Sequence, residues 1–172
     1  MRARAFVGVG SNIEPESNIL RAFMLLKLNA KIVAVSTLYW SKPLGDRDIQ
    51  FFLNGVWEID TDRKPAFILS MLKRVEYECG RVRDGDRYGS RVIDLDLLLY
   101  NGMIDAGEGG RLVHPDIRER AFVALPLFEL APELVLPDTG EQLSAIAGAM
   151  SVQGLVRNDS FTERLRKEML DE

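Results

Sequence analysis

Residues 92–100, Val-Ile-Asp-Leu-Asp-Leu-Leu-Leu-Tyr, open with apolar and acidic side chains in alternation, the two-residue period of a β-strand. On a pleated strand Asp94 and Asp96 share one face, and Ile93, Leu95 and Leu97 share the other. One face is therefore suited to a core and the other to a cation. At about 3.3 Å rise per residue the two carboxylates stand roughly 6–7 Å apart along the backbone, within reach of one hard cation held jointly or two side by side. Left unpaired they would repel each other and resist burial, so positive charge belongs beside them. A plainer reading keeps the strand and pairs its aspartates with Arg87 or Arg91.

Immediately upstream, residues 81–91 hold Arg81, Arg83, Arg87 and Arg91 with two aspartates, two glycines and little to bury. That composition predicts a polar loop. Guanidinium forks match phosphate oxygens, and Mg²⁺ bridges phosphates to carboxylates, so arginines leading into an aspartate pair suit a polyphosphate substrate. The competing reading is a solvated charged loop.

Further upstream, Ile68, Leu72, Val75 and Cys79 fall on one helical stripe that begins at Asp62 to Pro65 and ends at Gly80. Residues 51–59 (FFLNGVWEI) and 31–39 (KIVAVSTLY) read as strands, with a polar loop over Ser41 to Ile49 between them. Residues 4–9 read as an opening strand closed by the turn-forming Gly10-Ser11-Asn12, and Pro15 with Ile19, Phe23 and Leu26 predicts a helix after it. Downstream, Asp105 to Gly110 reads as a flexible tip. Residues 118–131 read as a helix kinked or split at Pro126, and the tail from Asn158 as a charged helix with a Ser160–Glu163 capping box. Its Phe161, Leu165 and Met169 form an apolar docking stripe. Short links between neighbouring strands predict an α+β chain with a mostly antiparallel sheet.

The chain has 172 residues, 47% of them apolar, enough for one core and one domain. A lone cysteine, Cys79, rules out an internal disulfide and a cysteine zinc site and fits the reducing cytoplasm. No run reaches the roughly 18 apolar residues of a membrane span. Net charge −4 and a pI near 5.2 argue against a broad nucleic-acid surface. Gly8-Val9-Gly10 lacks the third glycine of a dinucleotide loop, and there is no Gly-Lys-Ser/Thr, so ATP use requires another architecture.

His114, the only histidine, is placed to bond a phosphate or ribose, though a structural role is the commoner one. Phe52 with Asn54, and Phe122, offer stacking surfaces and an edge-binding amide for a flat heterocycle, or simply core.

Several segments in fixed order carry a resemblance. They are Gly10-Ser11-Asn12, Tyr39 to Gly45, Gln50 to Asn54, Glu76, Gly80 to Arg83, Arg87 to Arg91, Asp94 to Leu97, His114-Pro115, Arg120-Ala121-Phe122 and Pro126-Leu127. Together they resemble the 6-hydroxymethyl-7,8-dihydropterin pyrophosphokinases of folate biosynthesis. The resemblance implies a three-layer αβα sandwich related to the ferredoxin-like fold. It also implies transfer of pyrophosphate from ATP to the pterin hydroxymethyl oxygen, releasing AMP.

By matching motif, Asp94 and Asp96 would hold two Mg²⁺ ions, and Arg81 and Arg91 would follow the phosphates. Glu76, Arg83, Arg87, Tyr88, Arg91, Arg111, His114 and Arg120 would line the ATP site. Phe52 and Phe122 would sandwich the pterin, with Ser41, Pro43, Leu44, Gly45 and Asn54 at its edge. The loops around Pro43 to Ile49 and Arg83 to Ser90 would close over both ligands. The implied organisation is a pyrophosphokinase domain over 1–157 with 158–172 as a helical extension of it. The expected partners are a small pterin and ATP, with no nucleic acid and no membrane, and the expected state is a monomer with a weak dimer as the alternative.

The family's usual Arg-Trp-Gly-Pro-Arg-Thr is here Arg87-Tyr88-Gly89-Ser90-Arg91-Val92. Those changes leave a pterin- or nucleotide-binding relative without turnover as one alternative. A metal-dependent glycosyltransferase and an RNA-binding module are the others, disfavoured by length and by charge.

Overall fold

A computed structural model describes residues 2–45, 48–81, 89–104 and 112–171. Its centre is β1 (Ala3–Ser11), which pairs antiparallel with β4 (Phe52–Thr61) from Ala3↔Thr61 to Ser11↔Leu53. On its other side lies β5 (Asp94–Tyr100), also antiparallel. Neighbours on both edges and helices on both faces explain why β1 is buried through nearly its whole length. The expected turn at Gly10-Ser11 is strand instead, because β4 and β5 supply paired backbone partners past Val9.

Alternation on β1 assigns its side chains to two cores. Ala5, Val7 and Val9 face α1 (Pro15–Lys27), α2 (Pro65–Glu78) and α6 (Asp159–Leu170), which contribute Phe23, Leu72 and Phe161 among others. Phe6 faces α3 (Asp116–Glu119), α4 (Ala121–Leu130) and α5 (Leu143–Ala149), where it joins Leu98, Ile117, Leu127 and Leu143. This is the expected αβα sandwich. Among the described residues every strand pair is antiparallel, and the order is β5-β1-β4-β3-β6 with β2 also on β4. No helix among the described residues is long and apolar enough to cross a membrane.

The expected strand over 31–39 is two strands, β2 (Lys31–Val35) and β3 (Tyr39–Ser41), both on the same edge of β4. Between them the backbone leaves the ladder because distant groups bind it: Glu129 Oε2 accepts from Thr37 N at 2.9 Å, and Leu38 N donates to Thr162 Oγ1 at 2.9 Å. No local pattern announces partners more than ninety residues away. Two further elements were not anticipated, α5 and the two-residue β6 (Val156–Arg157), which pairs with β3.

The split in the helix expected over 118–131 falls at Arg120, not at Pro126. Arg120 is extended (φ −125°, ψ 117°), and its carbonyl accepts from Ala124 N to start α4. Pro126 sits inside α4, buried, where it forfeits one helical bond, to the Phe122 carbonyl. The cap of α6 also differs: Asn158 Oδ1 accepts from Phe161 N at 3.2 Å, so the cap is Asn158 rather than Ser160. As expected, α6 lays Phe161 and Leu165 into the first core with Met169 packed against it.

Candidate active site

At one end of β1, β4 and β5 a cavity of about 720 Å³ opens between the sheet and α3–α4. Its floor exists because β1 carries glycine where it faces the cavity. Gly10 pairs with Asp94 and Gly8 with Asp96, and a Cβ on Gly10 would stand 2.7 Å from Asn54 Oδ1. The glycines that fail as a nucleotide loop thus serve as bare strand beneath a ligand space.

On the cavity wall, Asp94 accepts from both catalytic-candidate arginines. Arg81 Nη1 donates to Oδ1 at 2.7 Å and Arg91 Nη1 to Oδ2 at 2.7 Å. Arg81 is aimed by the end of α2. Gly80 takes φ +90°, its N–H bonds the Tyr77 carbonyl at 2.9 Å, and Arg81 N bonds the Glu76 carbonyl at 3.0 Å, a Schellman motif that turns the chain into the cavity. Glu76 is buried beneath, where it binds the Arg81 guanidinium and accepts from Leu95 N at 2.7 Å. Burial pushes the Glu76 carboxyl above its ordinary value, against the Leu95 bond and the Arg81 charge that pull it down.

Arg91 is positioned by residues that the sequence offered as a turn and as part of the resemblance, with no role attached. Asn12 Oδ1 accepts from Arg91 N at 2.6 Å, Asn12 N donates to Arg91 O at 3.1 Å, and Ser11 Oγ donates to Val92 O at 2.6 Å. Ser11 and Asn12 are both buried. Their polarity signals this role only once their burial is known.

Asp96 has its carboxyl pushed up to about 6, first by burial and then by the Asp94 charge, with His114 and Arg81 opposing. Across from it, His114 N donates to the Leu98 carbonyl at 3.0 Å, tying the histidine to β5. Asp116 N donates to His114 Nδ1 at 3.2 Å, and an imidazole accepting at Nδ1 presents its hydrogen on Nε2. The Asp116 carboxylate stands 3.9 Å from both His114 Nδ1 and Arg120 Nε and lines the same cavity. Asp116 was missed from sequence, although it lies only two residues beyond His114.

At the other end, Asn54 Nδ2 donates to Ser41 Oγ at 2.8 Å, and Phe52, Phe122 and Leu44 complete the wall. Pro43 and Gly45 belong to the adjoining segment and are not among the wall residues. Arg83, Arg87, Tyr88 and Arg111 lie outside the described residues, as do the tip 105–110 and most of the closing loop at 82–88.

The family model for 7,8-dihydro-6-hydroxymethylpterin-pyrophosphokinase (HPPK) matches residues 6–132. The chain belongs to this family. It is 42% identical over 161 residues to the 2-amino-4-hydroxy-6-hydroxymethyldihydropteridine pyrophosphokinase of Pseudomonas aeruginosa, covering 91% of this chain and 98% of that protein. To the enzyme of the same name from Haemophilus influenzae it is 41% identical, over 78% of this chain and 86% of that one. An HPPK-DHPS crystallised in complex with substrates superposes with a TM-score of 0.64 over 87% of this chain. At 15% identity that likeness speaks for the fold alone, and the chain spans only 43% of that protein.

Magnesium is the metal expected from the resemblance, and the donor set fits one condition of its binding. Among the described residues no group of three or more His, Cys, Asp or Glu forms a cage. Two hard carboxylates open to a cavity are what Mg²⁺ uses when substrate phosphates and water supply its other ligands. The raised Asp96 carboxyl marks a place where added positive charge is favourable.

Proposed function

We propose that the pyrophosphokinase reaction of the HPPK family runs in this cavity with the following division of labour. The carrying observation is the convergence of Asp94, Asp96, Arg81, Arg91, His114 and Arg120 on one wall, with Ser41, Asn54, Phe52 and Phe122 at the other end. ATP lies along the charged wall and the pterin between Phe52 and Phe122, its edge on Asn54 and Ser41. The pterin hydroxymethyl oxygen attacks the β-phosphorus, the bond from that phosphorus to the bridging α–β oxygen breaks, and AMP leaves with that oxygen.

Bound at Asp94 and Asp96, two Mg²⁺ ions would supply charge neutralisation on the triphosphate. Arg81 and Arg91 exchange Asp94 for phosphate oxygens and hold the charge that accumulates on the departing AMP. His114 donates from Nε2 to the nucleotide, and Arg120, set at the α3–α4 joint, adds a second cation there. Glu76 holds Arg81 from below throughout. Phosphoryl-type transfer requires little beyond such positioning and charge. The same reading takes the protein as a cytoplasmic monomer, which light scattering of the purified chain and cell fractionation test directly.

The test of the reaction is a phosphorus NMR assay with ATP, magnesium and 6-hydroxymethyl-7,8-dihydropterin against a control without pterin. Pterin-dependent AMP with pterin pyrophosphate is the expected result. Formation of ADP, or binding of pterin without turnover, overturns it.

A further inference from the structure

β3 is three residues long, too short to hold its place by its own ladder, yet it carries Ser41 at the pterin end of the cavity. What fixes it comes from the end of the chain. Beyond the break at 36–38, Leu38 N donates to Thr162 Oγ1 at 2.9 Å, and Asn158 N donates to the Leu38 carbonyl at 2.8 Å. Thr162 Oγ1 in turn donates to the Asn158 carbonyl at 2.7 Å, so one buried hydroxyl joins the first turn of α6 to the start of β3.

Arg166 holds the other side of the break. Its Nε donates to the Val35 carbonyl at 3.0 Å and its Nη2 to Glu129 Oε1 at 2.8 Å, while Glu129 accepts from Thr37 N. Finally β6 covers the outer edge, with Tyr39↔Arg157 and Trp40↔Val156. The backbone groups that an interrupted strand leaves unpaired are thereby taken up by the C-terminal segment and by Glu129 of α4.

We propose that residues 156–170, acting through Thr162, are a positioning element for pterin binding: they fix β3, hence Ser41, hence the Asn54 amide that Ser41 holds at 2.8 Å. The family model's match ends at residue 132, so this element lies beyond that match. The inference rests on the reading that Ser41 and Asn54 take the pterin edge. The proposed nucleotide contacts lie on and just before β5, at α3 and its joint with α4, and at the end of α2, none of which residues 156–170 touch through these bonds.

The experiment measures dissociation constants for 6-hydroxymethyl-7,8-dihydropterin and for a non-hydrolysable ATP analogue with magnesium, in wild type, Thr162→Val, Thr162→Ser and Glu129→Gln. Loss of both hydroxyl bonds in Thr162→Val is expected to weaken pterin binding about fivefold while the nucleotide constant stays within about twofold. Thr162→Ser keeps both bonds and the affinity. Glu129→Gln, at a less buried position, shows the same split more weakly and serves should Thr162→Val fold poorly.

A folded Thr162→Val with unchanged pterin affinity overturns the proposal, and so does equal weakening of both ligands, which is a structural effect alone. Failure of both variants to fold makes the segment plain core and overturns it too. Wild-type protein that binds nucleotide but no pterin instead refutes the site reading beneath it.

Discussion

Asp94 and Asp96 differ although they stand on the same strand face. Asp94 is paired by two arginines, whereas Asp96 is raised to about 6 by burial and by its neighbour. Substituting either by Asn should cut turnover at saturating magnesium by about 100-fold or more, read as pterin-dependent AMP. The sign of the pH effect follows from the Asp96 shift. Its folded value lies above the ordinary 3.8, so between about 3.8 and about 6 the folded state binds a proton that the unfolded state has lost. Stability from this group is therefore full below that window and declines as pH rises through it. In metal-free protein the melting temperature of wild type relative to Asp96→Asn should fall between pH 4 and pH 6.5. Magnesium competes for the same carboxylate, so its affinity should weaken as pH drops through about 6, which calorimetry at stepped pH measures. Gly10 makes a third residue-scale test. Gly10→Ala drives a Cβ against Asn54 Oδ1 and should weaken pterin binding about tenfold, with a smaller change for nucleotide.

Among the elements, the long strands and the helices α1 and α2 could be read from local periodicity because each presents one uninterrupted apolar stripe. Pro15 at the start of α1 and Gly80 just past α2 supply the punctuation as well. The misreadings share one cause. The break at 36–38, the joint at Arg120 and the cap at Asn158 are settled by bonds to groups remote in sequence or by a choice among adjacent residues that can all cap. Asn158→Ala should cost about 1 kcal/mol in urea unfolding, since it removes the acceptor for Phe161 N and the amide that reaches Glu16. Ser160→Ala should cost little by comparison, contrary to the capping box expected from the sequence.

At the scale of the molecule, the sandwich is held where α1 meets the sheet. Phe23 stands edge-on to Trp57 with ring centroids 5.3 Å apart, both fully buried. Phe23→Ala should destabilise the fold by about 3–5 kcal/mol in chemical denaturation, because the void opens between two rigid layers. Neither residue touches the ligand cavity, so any folded fraction should keep its ligand affinities.

By itself the sequence determined that Asp94 and Asp96 share a face, that arginines precede them, and that motifs in HPPK order run through most of the chain. These are properties of period and spacing, which survive in one dimension. Only the tertiary structure decided that Gly8 and Gly10 are the floor of the cavity. It also decided that Ser11 and Asn12 hold the Arg91 backbone, that Asp116 joins His114 and Arg120, and that residues 156–162 bond to Leu38 and β3. Each depends on which residues meet after folding, and hydrogen bonds between segments far apart in sequence leave no periodic trace.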